Sequence, residues 1–156
     1  MTASTADDAL VGQLVARMDA AAEARLGRSL ALHPVATGDC GGCALEMAML
    51  LGVGRGLARL GLTVLDTPVG ADVLLVTGVM TRSLVAPVQR ALQVMGAPRW
   101  VVAVGDCAVD GGVFAASGAV SGGLGAAVAV DLVVPGCPPP PAAILAGLRA
   151  LLAANG

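Results

Sequence analysis

Apolar residues along this chain follow two patterns, a helical spacing and short runs of branched aliphatic residues. Residues 7–26 carry leucine, valine and methionine at helical spacing, so we expect a helix there. Two runs, Val73–Thr77 and Trp100–Val104, are almost continuously apolar, which is typical of strands buried on both faces. Further strands are predicted at residues 29–35, 62–65 and 129–134, and further helices at residues 44–60, 82–95 and 140–154.

The predicted strands alternate with helices, and this order favours an α/β fold with a parallel sheet that is covered on both faces. The Gly-rich stretch between residues 110 and 131 is predicted to be a loop that leads into a strand. Two units are expected, an N-terminal helix at residues 1–28 that contacts a partner and an α/β domain at residues 29–156.

Four cysteines, Cys40, Cys43, Cys107 and Cys137, are the candidate chemistry of this chain. Each is predicted to lie in a loop marked by glycine or proline, just beyond the carboxyl end of a strand. Because ligands of open α/β sheets bind at that edge, the three loops are expected to converge there.

Four converging thiolates suit an iron–sulfur cube, in which one Cys-x-x-Cys turn and two single cysteines supply the ligands. A zinc ion is a second possibility, although zinc ribbons usually pair two Cys-x-x-Cys turns. A dithiol redox centre is a third, and it would leave Cys107 and Cys137 without a role. His33 is expected to be a strand residue without a ligand role, and Met47, Met49, Met80 and Met95 are expected to fill the core.

The composition and charge of the chain add expectations about its partners and its location. Residues are 56% hydrophobic, and only 13% are charged, about half the usual share. With so few charges, part of the surface is expected to be covered by another protein. The net charge of −2, with scattered basic residues, argues against a nucleic-acid partner. The N-terminal residues are polar and acidic rather than signal-like, so a cytoplasmic location is expected.

Taken together, these motifs resemble those of the family that joins the 20-kDa (B) subunit of respiratory complex I to the small subunit of nickel–iron hydrogenases. The resemblance extends over residues 38–148. The motifs that carry it are Cys-Gly-Gly-Cys-Ala-Leu-Glu-Met at 40–47, the apolar strand at 71–78, Gly-Asp-Cys-Ala-Val-Asp-Gly-Gly at 105–112 and Pro-Gly-Cys-Pro-Pro at 135–139.

The resemblance implies a flavodoxin-like fold with one 4Fe–4S cluster held by Cys40, Cys43, Cys107 and Cys137 at the carboxyl-end edge of the strands. It also implies a large catalytic partner subunit, of the hydrogenase or 49-kDa type, with which the cluster exchanges electrons. The two-residue spacing of the first cysteines is similar to that of energy-converting, membrane-associated hydrogenases, whereas complex I members have adjacent cysteines. Electrons would then come from a ferredoxin-like subunit, and membrane subunits could hold the complex at the inner face of the cell membrane.

Glu46 matches an acidic position of the family motif, where it could assist proton transfer in the partner's active site. The alternative is a first-turn carboxylate that only stabilises its helix. Residues 138–141 lack a basic residue that often follows the proline pair, and there are no cysteines for additional clusters. These departures leave open a divergent complex whose large subunit reduces something other than protons or quinone. The rival interpretations are a quinone-reducing subunit, a zinc-stabilised interaction module and a stand-alone thiol oxidoreductase.

Overall fold

Five strands form one parallel sheet in the order β2-β1-β3-β4-β5. The computed structural model describes residues 24, 26–51 and 62–154, and all structural statements concern these residues. The strands are β1 (Leu30–Ala36), β2 (Leu62–Val64), β3 (Val73–Thr77), β4 (Trp100–Val104) and β5 (Leu132–Val134). This strand order is that of flavodoxin-like folds, so the predicted α/β class is confirmed.

Helices cover both faces of the sheet. They are α1 (Gly42–Leu51), α2 (Arg82–Val94), α3 (Asp106–Asp110) and α4 (Pro141–Ala154), with single 3-10 turns at Gly112–Phe114 and Leu124–Ala126. Side chains of β3 and β4 alternate between two buried clusters, as the two-residue period of a strand requires. One cluster joins the sheet to α1 and α4, and the other joins it to α2 and α3.

Two carboxylates, the buried Asp72 and the exposed Asp131, bond to the backbone near the starts of strands, at the edge opposite the cysteines. Asp72 accepts the backbone N–H of Ala31 at 2.8 Å and both terminal nitrogens of Arg28 at 2.7 Å. Asp131 accepts the backbone N–H of Val101 at 2.7 Å. These bonds hold the first residues of β1 and β4 at the edge of the sheet away from the cysteines.

The predicted elements agree with the structure at β3 and β4 and differ in detail elsewhere. Strand β5 is shorter than predicted, and α1 begins before Cys43 rather than after it. The stretch 110–131 contains two 3-10 turns that were predicted as loop, and α3 was not predicted. The helix predicted at residues 7–26 and nearly all of the unit 1–28 lie outside the described residues, as does the end of the predicted helix 44–60. Among the helices that the structure describes, none has the length and apolar character needed to cross a membrane.

Candidate functional site

Three segments at the carboxyl ends of β1, β4 and β5 carry the four cysteines. Cys40 and Cys137 are exposed and irregular in backbone, as predicted for loop residues. Cys43 and Cys107 are half-buried and lie in α1 and α3, so their prediction as loop residues was wrong. Both helices follow so closely on their strands that the cysteines still lie at the predicted edge of the sheet.

The four thiols lie close enough to influence one another electrostatically. Burial, as the largest cause, and the charges of the nearby Cys107, Cys40, Cys137 and Asp39 together raise the pKa of the Cys43 thiol to about 11. The pKa of Cys107 is also raised, first by burial and then by Cys137 and Cys40. Contacts show the same proximity: a Cβ on Gly105 would lie 2.5 Å from the Sγ of Cys43, and the N–H of Gly136 donates to Asp106 at 2.7 Å. The three segments therefore meet in the fold, as predicted.

A zinc ion and an iron–sulfur cube require different arrangements of four thiolates. Among the described residues, no three His, Cys, Asp or Glu side chains are grouped as ligands of a metal ion. A zinc ion with thiolate bonds of about 2.3 Å would draw four tetrahedral sulfurs to roughly 3.8 Å from one another. An iron–sulfur cube binds each thiolate to a different iron atom, and its four sulfurs are therefore spread more widely.

Glycines leave room for the cysteine sulfurs. A Cβ on Gly105 would lie 2.5 Å from the Sγ of Cys43, and one on Gly112 would lie 3.1 Å from the Sγ of Cys107. Gly105 also has φ +90° and ψ 155°, a backbone conformation that is essentially restricted to glycine. Any side chain at these positions would occupy space next to the thiols.

Two aspartates, each directly before a cysteine, anchor the segments by hydrogen bonds. Asp39 accepts the hydroxyl of the fully buried Thr77 at 2.8 Å. Asp106 accepts the backbone N–H of Gly136, the residue before Cys137, at 2.7 Å. Neither aspartate was predicted as a site residue, although the repeated Gly-Asp-Cys at 38–40 and 105–107 was a signal that could have revealed them.

Glu46 lies in the second turn of α1 and is half-buried. Because the first turn of this helix contains no acidic residue, the alternative that Glu46 is a first-turn carboxylate is wrong. Glu46 follows Cys43 by less than one helical turn, so the same helix carries the thiol and the carboxylate. Its proton-transfer role stays a prediction.

Other predictions for single residues had mixed outcomes. His33 lies in β1, and its Nδ1 forms a 2.8 Å hydrogen bond with the backbone oxygen of Leu65. Met47, Met80 and Met95 are buried in the core, as expected. Met49 was also expected in the core, which is wrong, because 71% of its surface is exposed. It lies on the solvent-facing side of α1, away from the sheet that buries Met47.

The cysteine segments fall within the part of the chain that matches a known family. Residues 40–151 match the family described as NADH ubiquinone oxidoreductase, 20 Kd subunit. The chain belongs to this family. The family is one known for an iron–sulfur cluster, and its members are subunits of oxidoreductase complexes.

Two relatives from bacteria illustrate the range of this family. Formate hydrogenlyase subunit 7 of Escherichia coli (strain K12) is 37% identical over 142 residues, which cover 91% of this chain and 56% of that protein. An NADH-quinone oxidoreductase subunit of Heliobacterium modesticaldum is 40% identical over 129 residues, which cover 81% of this chain and 72% of that protein. The chain thus spans little more than half the length of the first relative.

Two solved structures share the fold. A chain of the membrane-bound sulfane sulfur reductase, an archaeal respiratory membrane complex, superposes with a TM-score of 0.70 at 26% identity, covering 86% of this chain and 74% of that chain. A chain of the [NiFeSe] hydrogenase from Desulfovibrio vulgaris Hildenborough gives a TM-score of 0.53 at 20% identity, covering 83% and 65%. The second likeness concerns the fold alone.

The residues at the sheet edge fit an iron–sulfur cluster of the kind for which the family is known. The donor set is four thiols from three segments, without a histidine or carboxylate needed as a ligand. Glycines at 105 and 112 keep the space beside two of the sulfurs free of side chains. The raised thiol pKa values describe the protein without a metal, since binding to iron stabilises the thiolate form.

Proposed function

We propose that this chain is the electron-transfer subunit of a hydrogenase-like complex and that Cys40, Cys43, Cys107 and Cys137 bind one 4Fe–4S cluster. The convergence of these four thiols, in a member of this family, is the observation that carries the proposal. When bound, the cluster accepts and donates single electrons. The chain's own contribution is to supply four thiolates, exclude side chains from the space beside them and present the site at the protein surface.

Assembly of the cluster must release protons from the cysteines. Thiols become ligands as thiolates, and Cys43 holds its proton more tightly than an ordinary cysteine because it is partly buried beside other acidic groups. Cluster formation in vitro is therefore expected to become more favourable as the pH rises within the stable range of the fold.

The surface beside the cysteines is suited to a partner protein. On α1, Leu45 and Met49 are 68% and 71% exposed, and they lie one helical turn apart. Next to the Cys107 segment, Val113 and Phe114 are also exposed. We propose that these four residues contact a large catalytic subunit of the hydrogenase or 49-kDa type. A ferredoxin-like subunit would then supply the electrons, and membrane subunits could complete the assembly.

Substitutions on this surface test the partner proposal. Leu45→Glu with Met49→Glu is expected to abolish co-purification of the large subunit, because charges would be placed in an apolar contact. Val69→Glu with Val94→Glu is the matched control, since Val69 and Val94 are exposed valines in other segments of the chain. Equal co-purification of both double variants would contradict the proposed contact.

Glu46 is proposed to pass protons between the protein surface and the partner's active site. In the assembled complex, Glu46→Gln is expected to lower turnover and alter its pH profile while leaving cluster content unchanged. Asp66→Asn, an exposed carboxylate on another loop, serves as the control. An unchanged rate and pH profile in Glu46→Gln would remove Glu46 from the proton path.

The cluster is tested first by anaerobic purification, with iron, sulfide and zinc assayed on one sample and electron paramagnetic resonance recorded after reduction. About four irons per chain and a reduced-cube signal are expected. Serine at any one of the four cysteines should remove or convert the cluster, whereas Ala44→Ser, which adds a hydroxyl beside Cys43, should not. One zinc per chain without a signal would instead establish the zinc-stabilised interaction module.

A quinone-reducing subunit is the second candidate function, favoured by the 40% identity to an NADH-quinone oxidoreductase subunit. Both candidates require the same cluster, so the partner distinguishes them. A co-purified large subunit with nickel supports the hydrogenase-like complex. Quinone reduction by a nickel-free complex supports the alternative.

A further inference from the structure

Two Gly-Asp-Cys segments occupy the site, and their aspartates are bonded differently. Asp39 bonds to β3, within the sheet. Asp106 instead bonds to the segment that carries another cysteine, so that one residue connects the Cys107 and Cys137 segments. Through this bond, the side chain of one residue holds together the segments of two candidate cluster ligands, Cys107 and Cys137.

The bond between these segments is reciprocal. The backbone N–H of Asp106 donates to the oxygen of Gly136 at 2.9 Å, and the backbone N–H of Gly136 donates to Oδ1 of Asp106 at 2.7 Å. One residue earlier, Gly105 donates to the oxygen of Val134 at 2.8 Å, which continues the ladder between β4 and β5. The side chain of Asp106 thus extends the pairing of the two strands to the residues that directly precede the cysteines.

Backbone pairing alone cannot continue here, because the chain turns at Gly136. This glycine has φ +139°, and a Cβ on it would lie 2.7 Å from the Cα of Pro139. The turn takes the N–H of Gly136 out of the strand ladder, and the Asp106 carboxylate is its acceptor. A side chain without an acceptor at position 106 would leave the Cys137 turn held by one bond fewer.

The Asp106 carboxylate also brings a negative charge to the site. Among the residues that the structure describes, the ion pair is formed by Arg28 and Asp72. The Asp106 carboxylate instead accepts a hydrogen bond from the neutral backbone amide of Gly136. Within the described part of the chain, no cationic side chain is paired with this carboxylate. A negative charge next to a redox centre opposes the addition of an electron, as it opposes the ionisation of a nearby acid.

We propose that Asp106 is a positioning residue that holds the Cys107 and Cys137 segments together for the cluster, and that its charge lowers the reduction potential of that cluster. This inference rests on the proposed function for its second part. The aspartate is not itself a ligand in this proposal. It acts through the backbone of Gly136 and through its charge.

Two substitutions separate the two effects. Asp106→Ala removes the acceptor and the charge, and iron loss to a chelator is expected to become about 10-fold faster or more, as for other residues that orient metal ligands. Asp106→Asn keeps an oxygen that can accept the Gly136 N–H, so iron loss should stay near the wild-type rate. The midpoint potential of Asp106→Asn should shift to a more positive value, because the charge is gone.

Asp110→Ala is the matched control for the bridging bond. Asp110 also accepts a glycine N–H at 2.7 Å, from Gly112, but within its own segment. Iron loss in this variant is expected to be clearly slower than in Asp106→Ala. Equal rates in the two variants would overturn the positioning role, and an unchanged potential in Asp106→Asn would overturn the charge effect.

A measurement without the cluster keeps the two proposals distinguishable. In a Cys40→Ser/Cys43→Ser protein, a short bifunctional thiol reagent should cross-link Cys107 to Cys137, and Asp106→Ala should slow this reaction. If the wild-type protein holds no iron but the cross-linking depends on Asp106, the proposed function fails and the positioning role stands. If the wild-type protein holds the cluster and Asp106→Ala changes neither readout, only the positioning role fails.

Discussion

Replacing Gly105 with alanine is expected to disrupt the site by pushing on one thiol. The new Cβ would lie 2.5 Å from the Sγ of Cys43, whereas its distances to Gly136 O and Pro139 Cδ, 3.5 and 3.8 Å, are ordinary contacts. The cysteine sulfur is therefore the atom that must move. Restoring van der Waals contact requires a shift of roughly 1 Å, about twice the displacement that a preorganised site tolerates.

Alanine at position 105 also strains the backbone, because the glycine has a positive φ. A second glycine with positive φ, Gly122, serves as a control that measures the effect of strain alone. Gly105 and Gly122 both have positive φ, +90° and +104°, but a Cβ on Gly122 would meet no atom within 4 Å. Both alanine variants should lose about 1–3 kcal/mol of unfolding free energy from strain, or roughly 2–12 °C in Tm for the cluster-free chain. Only Gly105→Ala also displaces the Cys43 sulfur.

The assay is iron per chain and the rate of iron loss to a chelator, measured beside urea unfolding of the cluster-free proteins. Gly122→Ala should retain the cluster despite its lower stability. Gly105→Ala should lose iron about 10- to 100-fold faster, the range found when the support of a metal ligand is disturbed. Equal iron retention in both variants would refute the argument that the space at Gly105 is needed to place the Cys43 thiolate.

Three further outcomes are expected. The unfolding free energy of the cluster-free chain in urea should fall as the pH rises from about 9 to about 11, because Cys43, with its pKa raised to about 11, keeps its proton in the fold but ionises in the unfolded chain. The unfolding free energy of Cys43→Ser should fall less over the same pH range, and an equal fall would contradict this reasoning. Asp72→Ala should lower the free energy of unfolding in urea by about 2 kcal/mol, since it removes a buried acceptor that also pairs with Arg28. The iron content per chain should not change. Thr77→Val removes the hydroxyl that donates to Asp39, and iron loss should become roughly 10-fold faster; a wild-type rate would show that this bond does not support the site.

Much of the fold was predictable because its central strands are short, apolar and bounded by turn residues. Val73–Thr77 and Trp100–Val104 were predicted at their observed bounds, and all five residues of each are buried. The five-residue helix α3 was missed, since it is too short to show a helical period. Met49 was misplaced because α1 is apolar on both its exposed and its buried side, so its sequence has no single apolar stripe to show which side faces the sheet.

The candidate ligands could be found from sequence, whereas the groups that hold them could not. Cysteine placement after three of the strands predicted the candidate site, because the carboxyl ends of parallel strands share one edge. The bond from Gly136 to Asp106 joins residues 30 positions apart, and the Asp39–Thr77 bond joins residues 38 apart. Such pairs depend on which strands are neighbours, and the apolar pattern does not contain that order.

By itself, the sequence determined the α/β class, the four thiols and the edge at which they gather, because local periodicity and turn chemistry are properties of neighbouring residues. Only the tertiary structure decided that β3 lies between β1 and β4, that Cys43 and Cys107 are partly buried in helices, and that Gly105 lies against a cysteine sulfur. The physical reason is that burial and close contact arise from packing between segments distant in the chain. Hydrogen bonds such as that of Asp106 form only once the sheet has brought those segments together.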